Sequence, residues 1–249
     1  MHKPSPARYL PSRQTEASAS GHRTKSPLVL VFASIAGALL NILIYHFLRN
    51  RLGIPLFLDT VMTMTVTFCG GVFWGALTGA LTNLMEQSIF FYGWLYYLYA
   101  FCNIAVALVT ALFVRWFPQE LDIDGTEKPL PKSQRQSLWF QDLMGRAIVL
   151  VLLSFALCLA ISVLGGLFAT FINSFNPPSL VPESISPEHN FRLALIRRNL
   201  SGVLVEIGSR IPVNLLDRLF SSFAGYALAL LLAWGERKAG KRKNARHIK

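Results

Sequence analysis

The sequence predicts an all-α integral membrane protein, built as a bundle of six transmembrane helices. Apolar stretches long enough to cross a bilayer recur along the chain, and most of the charges lie between and beyond them. A helix needs roughly 20 apolar residues to cross about 30 Å of hydrocarbon. The stretches 27–48 and 147–172 reach that length with few polar interruptions. Because lipid cannot pair open backbone groups, helices are the expected spanning elements.

The bulk composition is typical of a membrane chain. Of the 249 residues, 53% are hydrophobic and 15% are charged, whereas a typical soluble domain has roughly 25% charged residues. We assign the net charge of +11 to basic tails that face the cytoplasm and anionic lipid, not to nucleic-acid binding. Three widely spaced cysteines, Cys69, Cys102 and Cys158, are expected to be small buried hydrophobes. The five histidines form no metal-ligand pair, so we expect no metal and no cofactor.

Six helices are predicted from these stretches and the turn residues between them. They cover 27–48, 55–70, 73–90, 95–116, 141–173 and, for helix 6, a stretch within 191–235 that ends at Trp234. Pro55 suits the first turn of helix 2, and Gly70-Gly71 is a pair that ends helices. A basic amphipathic piece, 192–198, precedes helix 6, where Pro212 should kink or restart the helix. The charged stretch 118–136 and the proline-rich stretch 176–189 are predicted loops.

The charge distribution predicts the domain organisation and the topology. Residues 1–26 form a basic tail that is predicted to be disordered, 27–235 form the membrane domain, and 236–249 form a second basic tail. Six spans place both termini on one side of the membrane. Lysine and arginine are concentrated in both tails and in the loop between helices 4 and 5. Both termini are therefore predicted to be cytoplasmic, in a multi-pass protein of the cell (cytoplasmic) membrane.

Polar residues converge at the predicted outer ends of four helices. On helix 6, Glu206, Arg210, Asn214, Asp217 and Ser221 are spaced four, four, three and four apart, which places them on one helical face. Charged residues in membrane spans are costly and usually face the bundle interior. We therefore predict a polar, aromatic cup that binds a substrate from outside. Its predicted residues are Asp59, Thr60, Asn83, Glu86, Tyr96, Asn103, Arg210, Asn214 and Asp217.

Each of these side chains also has a structural interpretation. Asp59 is placed to cap helix 2, and Glu86 is placed to reach the lipid headgroups. Arg210 and Asp217 are spaced to form an ion pair across two turns. The aromatic residues around Trp94 suit a membrane interface. We favour the cup because side chains with unrelated structural roles would not all need to lie in the same half of the membrane.

Small residues recur at four-residue spacing on two helices. Gly75 and Gly79 precede Asn83 on helix 3, and Ala33 and Gly37 lie on helix 1. This spacing lets helices approach closely. It indicates either a helix–helix contact within the fold or a contact with a partner subunit.

Three segments carry a resemblance to a known family. They are 55–60 (PLFLDT), 70–83 (GGVFWGALTGALTN) and 211–218 (IPVNLLDR). Together they resemble the substrate-binding S components of energy-coupling factor (ECF) transporters, and the similar membrane domains of some sensor proteins. The resemblance covers about 28–235.

The resemblance implies six helices, cytoplasmic termini and a vitamin or related micronutrient bound near the outer face. It also implies a membrane coupling subunit and two cytoplasmic ATPase subunits as partners. Small residues on helix 1 of such proteins contact the coupling subunit, and Ala33 and Gly37 correspond to them, with glycine as the second. The sequence contains no G-x-x-x-x-G-K-[ST] phosphate loop, so ATP hydrolysis is assigned to the partners.

The leading functional hypothesis is the substrate-binding subunit of an ECF-type importer. The alternative is a ligand-binding membrane sensor that signals through a partner, although the tail after Trp234 is short for an output domain. An intramembrane enzyme is the third class. No Ser–His or paired-Asp catalytic arrangement is apparent in the spans, where His46 is the only histidine, so we do not expect an enzyme.

Overall fold

The computed structural model describes residues 26–54, 56–91, 93–123, 132–175, 187–200 and 202–246, and these are all-helical. The elements in chain order are α1 (Pro27–Leu52), α2 (Val61–Gly70), α3 (Val72–Phe90), a 3-10 helix (Trp94–Tyr99), α4 (Ala100–Trp116), α5 (Lys132–Phe175), α6 (Pro187–Arg197) and α7 (Val203–Arg246). The predicted disordered tail lies outside the described residues, apart from Ser26.

Four helical stretches are long and apolar enough to cross a membrane. They are Pro27–Leu52, Trp94–Trp116, Phe140–Phe175 and Val203–Ala239. Helix α2 has 10 residues, or about 15 Å of helix, which is half of a bilayer's hydrocarbon thickness. The all-helical class and four candidate spans are thus present, while six spans and the sidedness of the termini stay predictions.

Large apolar side chains cover the outer faces of the long helices. On α1, Leu28, Phe32 and Leu43 are exposed, and Phe32 has 70% of its surface accessible. On α5, Ile148 and Leu159 are each 60% exposed. Soluble monomers rarely expose contiguous apolar surfaces of this extent. A surface of this kind is suited to contact with lipid.

The predicted start of helix 2 is wrong by several residues. Helix α2 begins at Val61, not near Pro55, which lies outside the described residues. The preceding segment is irregular, and Leu58 has a φ of 46°. Its backbone N–H donates to Asp217 Oδ1 at 2.7 Å. A contact with a distant helix therefore takes the N–H group that a longer helix would have used.

Of the two alternatives predicted at Pro212, a restart of the helix is not observed. Helix α7 begins at Val203 and runs through Pro212 without a break. The amphipathic piece before it is a separate helix, α6, which begins within the predicted loop 176–189. Asn199 and Gly202 turn the chain between the two helices, with φ values of 60° and 64°. Glycine adopts this conformation without steric cost.

The apolar core fills the half of the bundle away from the start of α7. Met64 of α2, Val106 of α4, Leu153 and Leu157 of α5 and Ala229 of α7 are fully buried there. Helices α5 and α7 pack together along much of their length. The core therefore joins the second half of α7 to three other helices.

The small-residue spacing on α1 and α3 serves contacts within the fold. A Cβ atom at Gly79 would lie 2.7 Å from the backbone oxygen of Asn103, so α3 and α4 approach at that point. A Cβ atom at Gly37 would lie 3.1 Å from Thr78 of α3 and 3.4 Å from Met62 of α2. Direct contact of Gly37 with a partner would therefore require α1 to separate from α2 and α3.

Candidate ligand-binding site

A cavity of about 300 Å³ lies at the end of the bundle where α1 and α3 finish and α2, α4 and α7 begin. Every described helical element except α2 borders it, and so does the segment before α2. The lining residues are Tyr45, Phe57, Asp59, Asn83, Glu86, Gln87, Tyr96, Tyr99, Cys102, Asn103, Ile161, Gly165, Glu188, Arg210, Asn214 and Arg218. This volume is about ten times that of one water molecule in the liquid.

The structure brings most of the predicted site residues to this cavity. Those that line it are Asp59, Asn83, Glu86, Tyr96, Asn103, Arg210 and Asn214. Thr60 and Asp217 do not line it, and both are fully buried. Both contact Arg218, which does line the cavity. Thr60 and Asp217 lie behind the cavity wall and hold the lining residue Arg218 in position.

A buried cluster around Arg218 forms one wall. Arg218 Nη2 lies 2.7 Å from Asp217 Oδ2 and 3.7 Å from Asp59 Oδ1, and its Nη1 donates to Thr60 Oγ1. A buried guanidinium requires paired charge and hydrogen-bond acceptors to offset the loss of water. Since Asp217 also accepts from the Leu58 N–H, the cluster ties α7 to the segment before α2.

Arg210 of α7 faces the wall that α6 contributes, and its contacts differ from those of Arg218. Its Nη2 donates to Tyr99 Oη at 3.1 Å, and its Nη1 lies 3.8 Å from Glu188 Oε2. The guanidinium carbon lies 5.6 Å from the centre of the Tyr99 ring, within cation–π range. The ion pair between Arg210 and Asp217 that the spacing allowed is not formed, because Asp217 pairs with Arg218.

Two carboxylates, Asp59 and Glu86, mark a third part of the lining. Asp59 Oδ2 accepts from Asn103 Nδ2 at 3.2 Å. The interpretation of Asp59 as a helix cap is wrong, because Thr60 occupies the N-cap position of α2 and no side chain there bonds to the backbone. Glu86 lies beside His46, with 3.6 Å between Oε1 and Nε2. Its side chain faces the cavity and is largely buried, so the headgroup interpretation does not describe it.

Several buried polar atoms on lining residues have no hydrogen-bond partner among the described residues. They are Asp59 Oδ1, Asn83 Nδ2, Gln87 Oε1, Glu188 Oε1, Arg210 Nε and Arg218 Nε. Asn83 and Gln87 are only 6% and 7% exposed. Buried polar atoms in native proteins are almost always paired, with protein, water or ligand. These donors and acceptors are therefore suited to a polar guest.

Aromatic rings complete the lining. Tyr45 and Phe57 stack with their centroids 6.0 Å apart and an interplanar angle of 17°. Tyr96 and Tyr99 lie 6.1 Å apart on the 3-10 helix. Rings and fixed polar groups together are typical of small-molecule sites, where apolar surface supplies affinity and polar groups supply orientation.

Three charged or amide-bearing lining residues, Gln87, Glu188 and Arg218, escaped the sequence-based prediction, as did six other lining residues. Arg218 lies beside Asp217 and follows Asn214 by four residues, on the same polar face of the helix. Glu188 lies in a stretch predicted as a loop, and Gln87 follows Glu86 directly. Only Arg218 had a usable signal, since an arginine next to an aspartate in an apolar helix needs a partner.

No family model, curated protein or solved structure matches this chain. No group of three or more histidine, cysteine, aspartate or glutamate side chains is arranged to hold a metal ion in the part of the chain that the structure describes. The site is therefore characterised by its geometry alone.

Proposed function

We propose that this chain is a multi-pass protein of the cytoplasmic membrane that captures a vitamin-like small molecule as the substrate-binding subunit of an ECF-type importer. The observation that carries the proposal is the cavity of about 300 Å³, lined by aromatic rings and buried polar groups at one end of an apolar helical bundle. The role is binding and not catalysis, and ATP hydrolysis belongs to partner subunits. The residues proposed to bind substrate are those that line the cavity.

Aromatic residues at both ends of the bundle support the membrane assignment. Phe91 and Trp94 are 84% and 79% exposed at the cavity end, and Trp116 and Trp234 are exposed at the other end. Aromatic side chains are enriched at the two membrane interfaces. The 3-10 helix and α4 between Trp94 and Trp116 span about 37 Å, which suits a bilayer with its interfaces.

The basic end of α7 supports an outward-facing cavity. Residues 237–246 of α7 carry six lysines and arginines, beyond Trp234 and away from the cavity. The positive-inside rule assigns that end to the cytoplasm and the cavity to the outside. Membrane-impermeant thiol labelling tests this: a cysteine replacing exposed Arg198 should react from outside, and one replacing exposed Ala239 only after permeabilisation.

The core beyond the cavity supports a subunit that needs a partner to transport. Met64, Leu153 and Leu157 are fully buried between the cavity and the basic end. A ligand bound near Arg210 therefore has no straight path along the bundle through the described residues. Release on the far side requires rearrangement, which in the proposed assembly is driven by a coupling subunit and two ATPases. Whether Ala33 contributes to that contact is tested by co-purification.

Gly165 offers a direct test of the cavity. A Cβ atom there would lie 3.6 Å from Arg210 Cδ, an ordinary contact, so Gly165→Ala should fit. The larger side chain of Gly165→Leu should project into the cavity and exclude a guest. Native mass spectrometry of the purified chains should find a retained small molecule with the wild type and Gly165→Ala, and none with Gly165→Leu. Equal retention by Gly165→Leu, with the fold intact, would place the guest elsewhere and refute the proposal.

A further inference from the structure

The charges around the cavity are unevenly paired. Arg218 has its closest carboxylate in Asp217, at 2.7 Å, and Arg210 has Glu188 at 3.8 Å. Each arginine thus has a carboxylate of its own. Two further carboxylates, Asp59 and Glu86, line the same cavity.

Among the described residues, neither Asp59 nor Glu86 has a cation of its own within hydrogen-bonding distance. Asp59 is 3.7 Å from Arg218 Nη2, which is already held by Asp217, and its own hydrogen bond comes from the neutral amide of Asn103. Glu86 lies 3.6 Å from His46 Nε2, beyond hydrogen-bonding distance.

Arg49 is a further cation near Glu86. Arg49 acts on Glu86 at longer range and donates to Tyr45 Oη at 2.7 Å. Asp59 and Glu86 line one cavity, and two carboxylates repel one another when both are ionised. The space near both acids therefore attracts positive charge.

Two independent features show that this space is built for a guest. Asn83 and Gln87 lie on α3 with Glu86, each is more than nine-tenths buried, and each has a side-chain atom without a hydrogen-bond partner among the described residues. The rings of Tyr45 and Phe57 line the same cavity. Aromatic faces attract cations, and flat rings pack well against flat rings.

We infer that the ligand is a flat organic cation whose charge lies between Asp59 and Glu86. This inference rests on the proposed binding function and narrows its substrate class. A lone alkali ion would occupy a small part of about 300 Å³ and would not use the aromatic lining. A cationic ring fills the space, pairs with both carboxylates and contacts the rings.

Three probes of nearly the same size and shape separate charge from fit: benzamidinium, benzamide and benzoate. Isothermal titration of the full-length protein in detergent should show benzamidinium binding at least about tenfold more tightly than benzamide, since hydrogen bonds to charged groups have that scale. Benzoate should bind more weakly than benzamide. Asp59→Asn and Glu86→Gln should each weaken benzamidinium about tenfold or more and change benzamide by less than about threefold.

Asp142→Asn is the matched control, because it removes the same charge from an exposed site on α5. It should leave the affinities for all three probes unchanged. Melting temperature and gel filtration confirm that each variant is folded. Glu86→Gln keeps the test valid if Asp59→Asn fails to fold, because Glu86 lies outside the Arg218 cluster.

The outcomes distinguish this inference from the function on which it rests. Equal or tighter binding of benzamide or benzoate, or a retained molecule that is neutral or anionic, would overturn the cationic class and leave the binding function standing. Stabilisation by sodium or potassium that depends on Asp59 and Glu86, without benzamidinium binding, would assign the pair to an inorganic ion instead. Absence of any bound probe and of any retained molecule would refute both proposals.

Discussion

Arg210 and Arg218 lie about two turns apart on α7, yet their surroundings differ. Arg218 is 3% exposed and contacts Asp217, Asp59 and Thr60. These contacts come from its own helix and from the segment before α2. Its charge is compensated within the fold.

Arg210 keeps 19% of its side-chain surface accessible and has a carboxylate partner at the longer distance of 3.8 Å. Its shortest polar contact is the hydroxyl of Tyr99, and its Nε, like that of Arg218, has no hydrogen-bond partner among the described residues. The difference teaches that one residue type on one helix serves two purposes. The guanidinium of Arg218 is paired closely within the fold, whereas the looser pairing of Arg210 leaves it more donor capacity for a ligand.

Removal of Arg218 should give the largest effect on stability. Arg218→Met leaves Asp217 buried without its cation, a change that typically costs about 3–5 kcal/mol. Denaturant unfolding of the purified protein in detergent measures this loss. The second change Asp217→Asn should recover part of it, because an amide oxygen still accepts from the Leu58 N–H. An unchanged unfolding free energy in the single variant would contradict the structural role.

Removal of Arg210 should affect binding more than folding. Arg210→Ala should weaken the co-purifying ligand by about 1.5–3 kcal/mol, the scale of a hydrogen bond from a charged donor, or roughly 10- to 150-fold. Benzamidinium has no acceptor for this arginine and should bind the variant at least as tightly as the wild type. Arg197→Ala, at an exposed site on α6, is the control. If Arg210→Ala lost stability but kept full ligand affinity, Arg210 would have the same structural role as Arg218, and the proposed difference between the two would not hold.

Asn41 extends the comparison to a buried polar group outside the cavity. Its Nδ2 donates to Thr63 and Thr82 at 3.2 and 3.1 Å, and its Oδ1 accepts from the Met62 N–H. Asn41→Leu should therefore lower the unfolding free energy by about 1–2 kcal/mol, given the modest strength of such bonds inside membranes. Ligand affinity should not change. A selective loss of affinity would mean that the cavity extends to α1 beyond Tyr45.

Tyr99→Phe should give the smallest effect. The variant keeps the ring beneath Arg210 and removes only the hydroxyl that accepts its hydrogen bond. Affinity for the co-purifying ligand should fall by about 0.5–1 kcal/mol, the range of a single neutral hydrogen bond. Titration beside Arg210→Ala sharpens the comparison, because a loss as large as that of Arg210→Ala would show that Tyr99 itself contacts the ligand.

The sequence was sufficient to predict the helical class and the convergence of polar residues at one end. Both follow from local patterns. Arg210 and Asn214 lie four residues apart, and this spacing places them on one face whatever the neighbouring helices do. In the same way, the length of an apolar stretch indicates a membrane-spanning helix without any knowledge of how the helices pack.

Two of the details that failed depend on contacts between distant residues. The start of α2 is set by the hydrogen bond from Leu58 to Asp217, 159 positions away. The pairing of Asp217 with Arg218 and not with Arg210 depends on where the segment before α2 places Asp59 and Thr60. Helical spacing contains no information on either.

Pro212 has a mechanical consequence for the cavity. A proline has no N–H to donate to the carbonyl of Gly208 four residues earlier, so α7 resists bending least at this point. Arg210 lies before Pro212 and Arg218 after it. A bend there would move Arg210 together with α6, which is tied to the first turn of α7 by the 2.6 Å contact between Arg192 and Glu206. Arg218 would stay in place, so such a bend would move one wall of the cavity relative to the other.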